Sequence, residues 1–134
     1  MCNKTVAGHI KKALGNMESA QILINNGMYD SAVSSSYYAV FHAVSALLAS
    51  KGMEFSNHKT VINKYNEVFI NTGLISSISF RSLTALLRLR LDSEYDPIIF
   101  ISEEGANEAM KLAQMAIQDI LKYCREHNLN EEPV

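Results

Sequence analysis

Cysteine is scarce in this 134-residue chain: Cys2 and Cys124 are the only two, with neither disulfide-scaffold density nor metal-ligand spacing. The four histidines, His9, His42, His58 and His127, fall in no H-E-x-x-H or E-x-x-H pattern, so no metal is expected. There is no glycine-rich phosphate loop, no G-x-S-x-G elbow and no C-x-x-C pair, and no cofactor is implied. No run approaches 18 consecutive apolar residues, and the N-terminal "MCNKTVAGHIKKAL" lacks the apolar stretch of a signal peptide. The expectation is a cytoplasmic protein in a reducing setting.

Charge is also sparse. Only 19% of residues are charged, below the usual quarter, while 48% are hydrophobic, enough for one domain with a real core. The net charge of −2 disfavours a uniformly basic nucleic-acid binder, yet its distribution is uneven. Residues 51–90 carry six bases against two acids; residues 91–134 carry ten acids against three bases. Either these are solvated helix faces, or the basic middle meets an anion or the acidic part of a second subunit.

Apolar residues recur at helical spacing almost throughout. Ile10, Leu14, Met17, Gln21 and Ile24 outline a first helix stopped at Gly27. Asp30 is positioned to cap a second helix running to Gly52. Its broad stripe of Val33, Tyr37, Val40, Phe41, Val44, Leu47 and Leu48 predicts a central, heavily buried element. Ser56 starts a third helix, closed by Gly73; a fourth covers Ile78 to Leu91, with Phe80, Leu83, Leu86, Leu87 and Leu91 on its apolar side. Pro97 forces that helix to end before it. Ser102, with Glu103 and Glu104 in the first turn, opens a fifth helix, striped by Ala109, Leu112, Ala116, Ile120 and Tyr123. Short connections and no convincing alternation predict an all-α, up-and-down bundle of about five antiparallel helices. A single domain over residues 1–127 and a disordered tail over 128–134 are expected. The wide apolar faces of helices two and five anticipate a homodimer.

Candidate chemistry concentrates in three places. Tyr38 and His42 are four apart on one face of helix two, either as core hydrogen-bonding groups or as one wall of a polar cleft. His58 and Lys59 open helix three, where free backbone N–H groups favour an anion. The stretch "RLRLDSEYDP", residues 88–97, spaces Arg88 four from Asp92 and Arg90 four from Glu94. Such intrahelical pairs contribute only about 0.2–0.5 kcal/mol, which explains neither the paired arginines in a leucine-rich helix nor Tyr95.

Three blocks, "AVSSSYYAVFHAVSALLASKG" (32–52), "HKTV" (58–61) and "RLDSEYDP" (90–97), taken in this order and at this spacing, resemble the HEPN domain family. The likeness covers nearly the whole chain and is nearest to the family's small stand-alone prokaryotic members. It implies a bundle of four or five helices, a homodimer, and a minimal nucleotidyltransferase as partner in a toxin–antitoxin pair. Many family members are metal-independent endoribonucleases with an arginine, four to six residues, then a histidine, meeting across two subunits. Arg90 matches the arginine, but the position five residues on is Tyr95, and no histidine follows within that spacing. A tyrosine, with pKa near 10, is a poor general base at neutral pH, which argues against ribonuclease activity. The resemblance then implies a nucleotide- or RNA-phosphate-binding module using Arg90, Glu94, Tyr95, His58, Lys59, Tyr38 and His42. Two alternatives stand beside it: an endoribonuclease toxin whose histidine comes from His42 or another part of the cleft, and a purely structural dimerisation domain.

Overall fold

The apolar stretch between Gly27 and Gly52 lies at the centre of the structure, a computed structural model that describes residues 3–129. Five helices follow in chain order: α1 (Asn3–Asn25), α2 (Tyr29–Ser50), α3 (His58–Tyr65), α4 (Ser77–Tyr95) and α5 (Glu103–Glu126). They form the expected up-and-down bundle, and no strand occurs among the described residues. Helix α2 packs against each of the other four. Val33, Tyr37, Val40, Val44 and Leu47 are wholly buried, each Val or Leu contributing about 1.5–3 kcal/mol of burial before entropy is charged against it. Among the described helices α2 alone is long and apolar enough to cross a membrane, but 72% of that span is buried inside the bundle.

The α1–α2 contact is built on small side chains. Ala13 and Ala20 of α1 and Ala32, Ala39, Ala43 and Ala46 of α2 have no exposed surface, which lets the two backbones approach closely. The buried seam of α1 is therefore Val6, Ala13, Ala20 and Ile24; Leu14, expected inside, is 51% exposed. Of the expected stripe, Ile24 is buried and Ile10 and Met17 pack on the core, while Leu14 and Gln21 face out, because the centre of the seam is carried by alanines.

Helix starts also differ in detail from the expectation. Gly27, at φ 75°, closes α1 with the Met28 N–H donating to Leu23 O and the Gly27 N–H to Ile24 O. This tight turn starts α2 at Tyr29 behind Met28, which gives no side-chain cap. Asp30 instead accepts the backbone N–H of Ile101 at 2.8 Å, tying the α4–α5 connection to α2. Asn57, not Ser56, caps α3, accepting from the Thr60 N–H. Helix α3 continues into one π-helical turn, Asn66–Ile70, where the Asn71 N–H reaches back to Asn66 O at 2.8 Å. The Tyr65 hydroxyl meets Ser79 Oγ at 2.6 Å, both groups buried, and this bond pins α3 to the start of α4.

Helix α4 runs to Tyr95, four residues past the expected Leu91. Asp96 then turns extended, at φ −103° and ψ 113°, as a residue before proline must. Leu91, assigned to the apolar side, is 39% exposed. Most of the tail expected over 128–134 lies outside the described residues. Asn128 and Leu129 are described: the Leu129 N–H donates to Cys124 O at 2.8 Å and its side chain packs on the core.

Candidate functional site

Where α2, α3 and α4 meet, they enclose a groove of about 540 Å³ lined by Tyr38, His58, Lys59, Ile62, Asn63, Leu87, Arg90 and Leu91. Each wall follows from the helix that supplies it. Tyr37 and Tyr38 are consecutive on α2, so one ring turns into the core and the next to its edge; Tyr37 is wholly buried and Tyr38 half-buried. Helix α3 begins at His58 and so places His58 and Lys59 at the groove mouth. Helix α4 delivers Leu87, Arg90 and Leu91, three to four residues apart on one face.

Arg90 is the best-held cation in the groove. Its guanidinium carbon lies 5.4 Å from the centre of the Tyr37 ring and 5.0 Å from that of Tyr38. Its Nε donates to Glu94 Oε1 at 3.2 Å, and the same oxygen accepts from Ser34 Oγ at 3.1 Å. The side chain is only 16% exposed. Its terminal Nη groups have no partner among the described residues, and they are not sealed in: Ser36 Oγ is the only buried, unpartnered side-chain polar atom found there. The Nη groups therefore open to solvent over the groove. Two rings, a carboxylate and a serine fix the cation in place while leaving its donors free, an arrangement suited to an oxyanion.

His58 is held on three sides. Its Nδ1 lies 3.0 Å from the Tyr37 hydroxyl, its ring stacks on Phe41 at 4.1 Å, and Tyr38 meets it edge-on at 5.8 Å. Burial, reinforced by the Arg90 charge, lowers its pKa, so the ring is neutral at pH 7. Burial pushes the Tyr37 phenol up to about 12, the Arg90 charge pulling the other way, so it keeps its proton.

Of the residues singled out from sequence, Tyr38, His58, Lys59 and Arg90 come together in the groove, with Glu94 behind Arg90. His42 does not: it turns to α1, its Nδ1 3.1 Å from His9 Nδ1, and burial lowers the pKa of both. Tyr95 does not either. Because α4 stays helical through it, five residues at 100° each set it about 140° round from Arg90, and it is 75% exposed. Arg88 and Asp92 form no ion pair among the described residues, whereas Arg90 and Glu94 do. Tyr37, which sequence reasoning assigned only to the core, touches both Arg90 and His58. No group of three or more metal-ligating side chains is assembled among the described residues.

Comparison with known proteins gives a consistent picture. The family model described as the HEPN domain matches residues 6–125. A Methanocaldococcus jannaschii protein named "Putative toxin MJ0605" is 34% identical over 120 residues, covering 87% of each chain. A Thermotoga maritima protein named "UPF0332 protein" is 30% identical over 112 residues, covering 84% of this chain and 85% of that one. A second M. jannaschii protein, "Putative toxin MJ0142", is 29% identical over 120 residues, covering 90% and 82%.

Proposed function

The chain belongs to the HEPN domain family, and from that premise we propose that it is a homodimeric module that binds a nucleotide or RNA phosphate and partners a minimal nucleotidyltransferase in a toxin–antitoxin pair. The observation that carries the binding role is Arg90: a cation immobilised on Tyr37, Tyr38 and Glu94, with its Nη donors open over the groove. Lys59 adds a second cation at the mouth. Ile62, Leu87, Leu91 and the Tyr38 ring supply an apolar wall on which a base can lie. The names of the two M. jannaschii relatives support the toxin–antitoxin setting. The homodimer draws support from exposed apolar side chains at the end of α4 and in the connection after it, Leu91, Tyr95, Ile98 and Phe100, the last two 85% and 81% exposed. It draws none from α2, whose wide face is consumed within the chain.

Titrating ADP and short RNAs into the protein tests the binding role. Affinity should fall as salt rises, persist with a chelator, and vanish in Arg90→Ala. Binding unchanged in that variant would refute the role given to Arg90. A second reading, metal-independent RNA cleavage, is favoured by one observation: a neutral imidazole, His58, shares the groove with Arg90. Its test is cleavage of RNA in chelator by wild type, lost in His58→Ala.

A further inference from the structure

Tyr37 and His58 decide which hydrogen-bonding group the groove offers beside Arg90. The Tyr37 hydroxyl is wholly buried and has one hydrogen-bonding neighbour among the described residues, His58 Nδ1 at 3.0 Å. Two assignments are available. If Nδ1 carried a proton and donated it to the phenol oxygen, the phenol's own proton would be buried without an acceptor. Orphaned buried donors are rare because nothing replaces the water they lose. If the phenol donates to Nδ1, only an oxygen lone pair goes unused, which folded proteins tolerate better. The phenol is therefore the donor, and Nδ1 of the neutral ring is the acceptor. The ring's single proton then resides on Nε2.

The imidazole has no easy way to turn round. Phe41 covers one face at 4.1 Å, and the edge contact with Tyr38 flanks it. With Nδ1 pinned to the core, Nε2 points the other way. That atom has no partner among the described residues and is not one of the sealed, unpartnered atoms, so it is open to solvent, and His58 lines the groove. The groove accordingly presents an Nε2–H, the Arg90 Nη donors and the Lys59 ammonium, three donor groups that suit an acceptor-rich ligand.

We propose that Tyr37 is a positioning residue that locks neutral His58 in its Nε2–H form, so that His58 donates a hydrogen bond to a phosphate oxygen and does not act as a proton acceptor. The proposal rests on the reading of the groove as a phosphate site, and it separates the two functions raised for that site. A ribonuclease needs a lone pair there; a binding module needs a donor.

The test has two arms. Nitrogen-15 imidazole spectra of the free protein at pH 7.5 should show His58 Nε2 protonated and Nδ1 bare, and Tyr37→Phe should give a mixture of the two forms. In parallel, ADP binding is measured for wild type, Tyr37→Phe and His58→Gln. Loss of the phenol donor should weaken ADP about five-fold, and Gln, which can supply an N–H from a similar place, should keep most of the affinity. Wild-type affinity should be flat between pH 7 and 8.5, since no imidazolium is being lost. A His58 found with Nδ1 protonated overturns the proposal and fits a proton acceptor instead. Affinity that falls as pH rises through 7 overturns it too, because His58 would then bind as a cation. If wild type fails to bind ADP at millimolar concentration, the phosphate reading and the donor role both fail, while the spectrum still decides whether Tyr37 sets the tautomer.

Discussion

Replacing Ser79 by alanine should destabilise the fold more than replacing Tyr65 by phenylalanine, although both remove one hydroxyl from the same 2.6 Å contact. Ser79 Oγ already donates to Ser76 O at 2.9 Å, so it can only accept from the Tyr65 phenol. In Tyr65→Phe the serine loses an acceptor's partner and keeps its donor satisfied, a loss of about 1 kcal/mol. In Ser79→Ala the Tyr65 O–H stays buried without an acceptor, which costs about 2–3 kcal/mol, offset by about 0.5 kcal/mol from alanine's helix propensity. Removing both hydroxyls should cost little more than Tyr65→Phe alone, because no orphaned donor remains. Urea unfolding followed by circular dichroism measures all three. For a domain of this size each kcal/mol moves the melting temperature by about 3–5 °C, so the order is also visible by heating. A Tyr65→Phe variant less stable than Ser79→Ala would refute the donor assignment. The contact matters beyond stability, since it fixes α3, and with it His58 and Lys59, against α4.

Acidification should weaken the fold. Burial lowers the pKa of His9, His42 and His58, with Glu54 opposing the effect at His9, Lys12 and neighbouring histidines reinforcing it at His42, and Arg90 reinforcing it at His58. The unfolded chain, with histidine pKa values near 6.5, then binds protons more readily than the native state. This contribution to stability is complete above pH 6.5 and is lost as pH falls below it; a urea midpoint that rises between pH 7.5 and pH 5 contradicts the assignment. Arg90→Ala should lower the melting temperature by about 5 °C, since two ring contacts of about 0.5 kcal/mol each and a weak ion pair are lost; a drop of 15 °C or more would make Arg90 a structural keystone instead. Leu86→Ala, at a site with no exposed surface, should cost about 2–5 kcal/mol, and a cost under 1 kcal/mol would mean that the α4 packing is misassigned.

Much of the bundle was legible because its helices are periodic and their ends carry local signals. Gly27, Gly52 and Gly73 all take positive φ where helices were expected to stop. Ser102 caps α5 through the Gly105 N–H as expected. What periodicity could not supply was the centre of the α1 seam, because Ala13 and Ala20 rank below Leu14 in any hydrophobic count yet are the residues wholly buried. Nor could it foresee the π-helical turn after Tyr65, which no local signal marks. In the groove, Arg90, His58, Lys59 and Tyr38 were visible as types and spacings. Tyr37 was not, because a tyrosine in an apolar stripe looks like core, and it is core; its second role arises from which side chains arrive at its hydroxyl and its face. Tyr95 and His42 were grouped with Arg90 by proximity in sequence or by likeness; helix phase separates Tyr95, and the contact with His9 of α1 separates His42. A phase signal was available for Tyr95, which is out of step with Arg90 on a continuous helix; His42 shares a face of α2 with Tyr38 and gave no such signal.

The central claim, that the Arg90 groove takes a phosphate, is tested most directly by recording nitrogen-15 correlation spectra of the protein while ADP is added in the presence of a chelator. The account predicts saturable shifts centred on His58, Lys59, Asn63 and the Leu87–Leu91 turn, weakened by salt and abolished in Arg90→Ala. Shifts centred elsewhere, such as on the α1–α5 face around Leu14 and Gln114, or no shift at millimolar ADP, would contradict it.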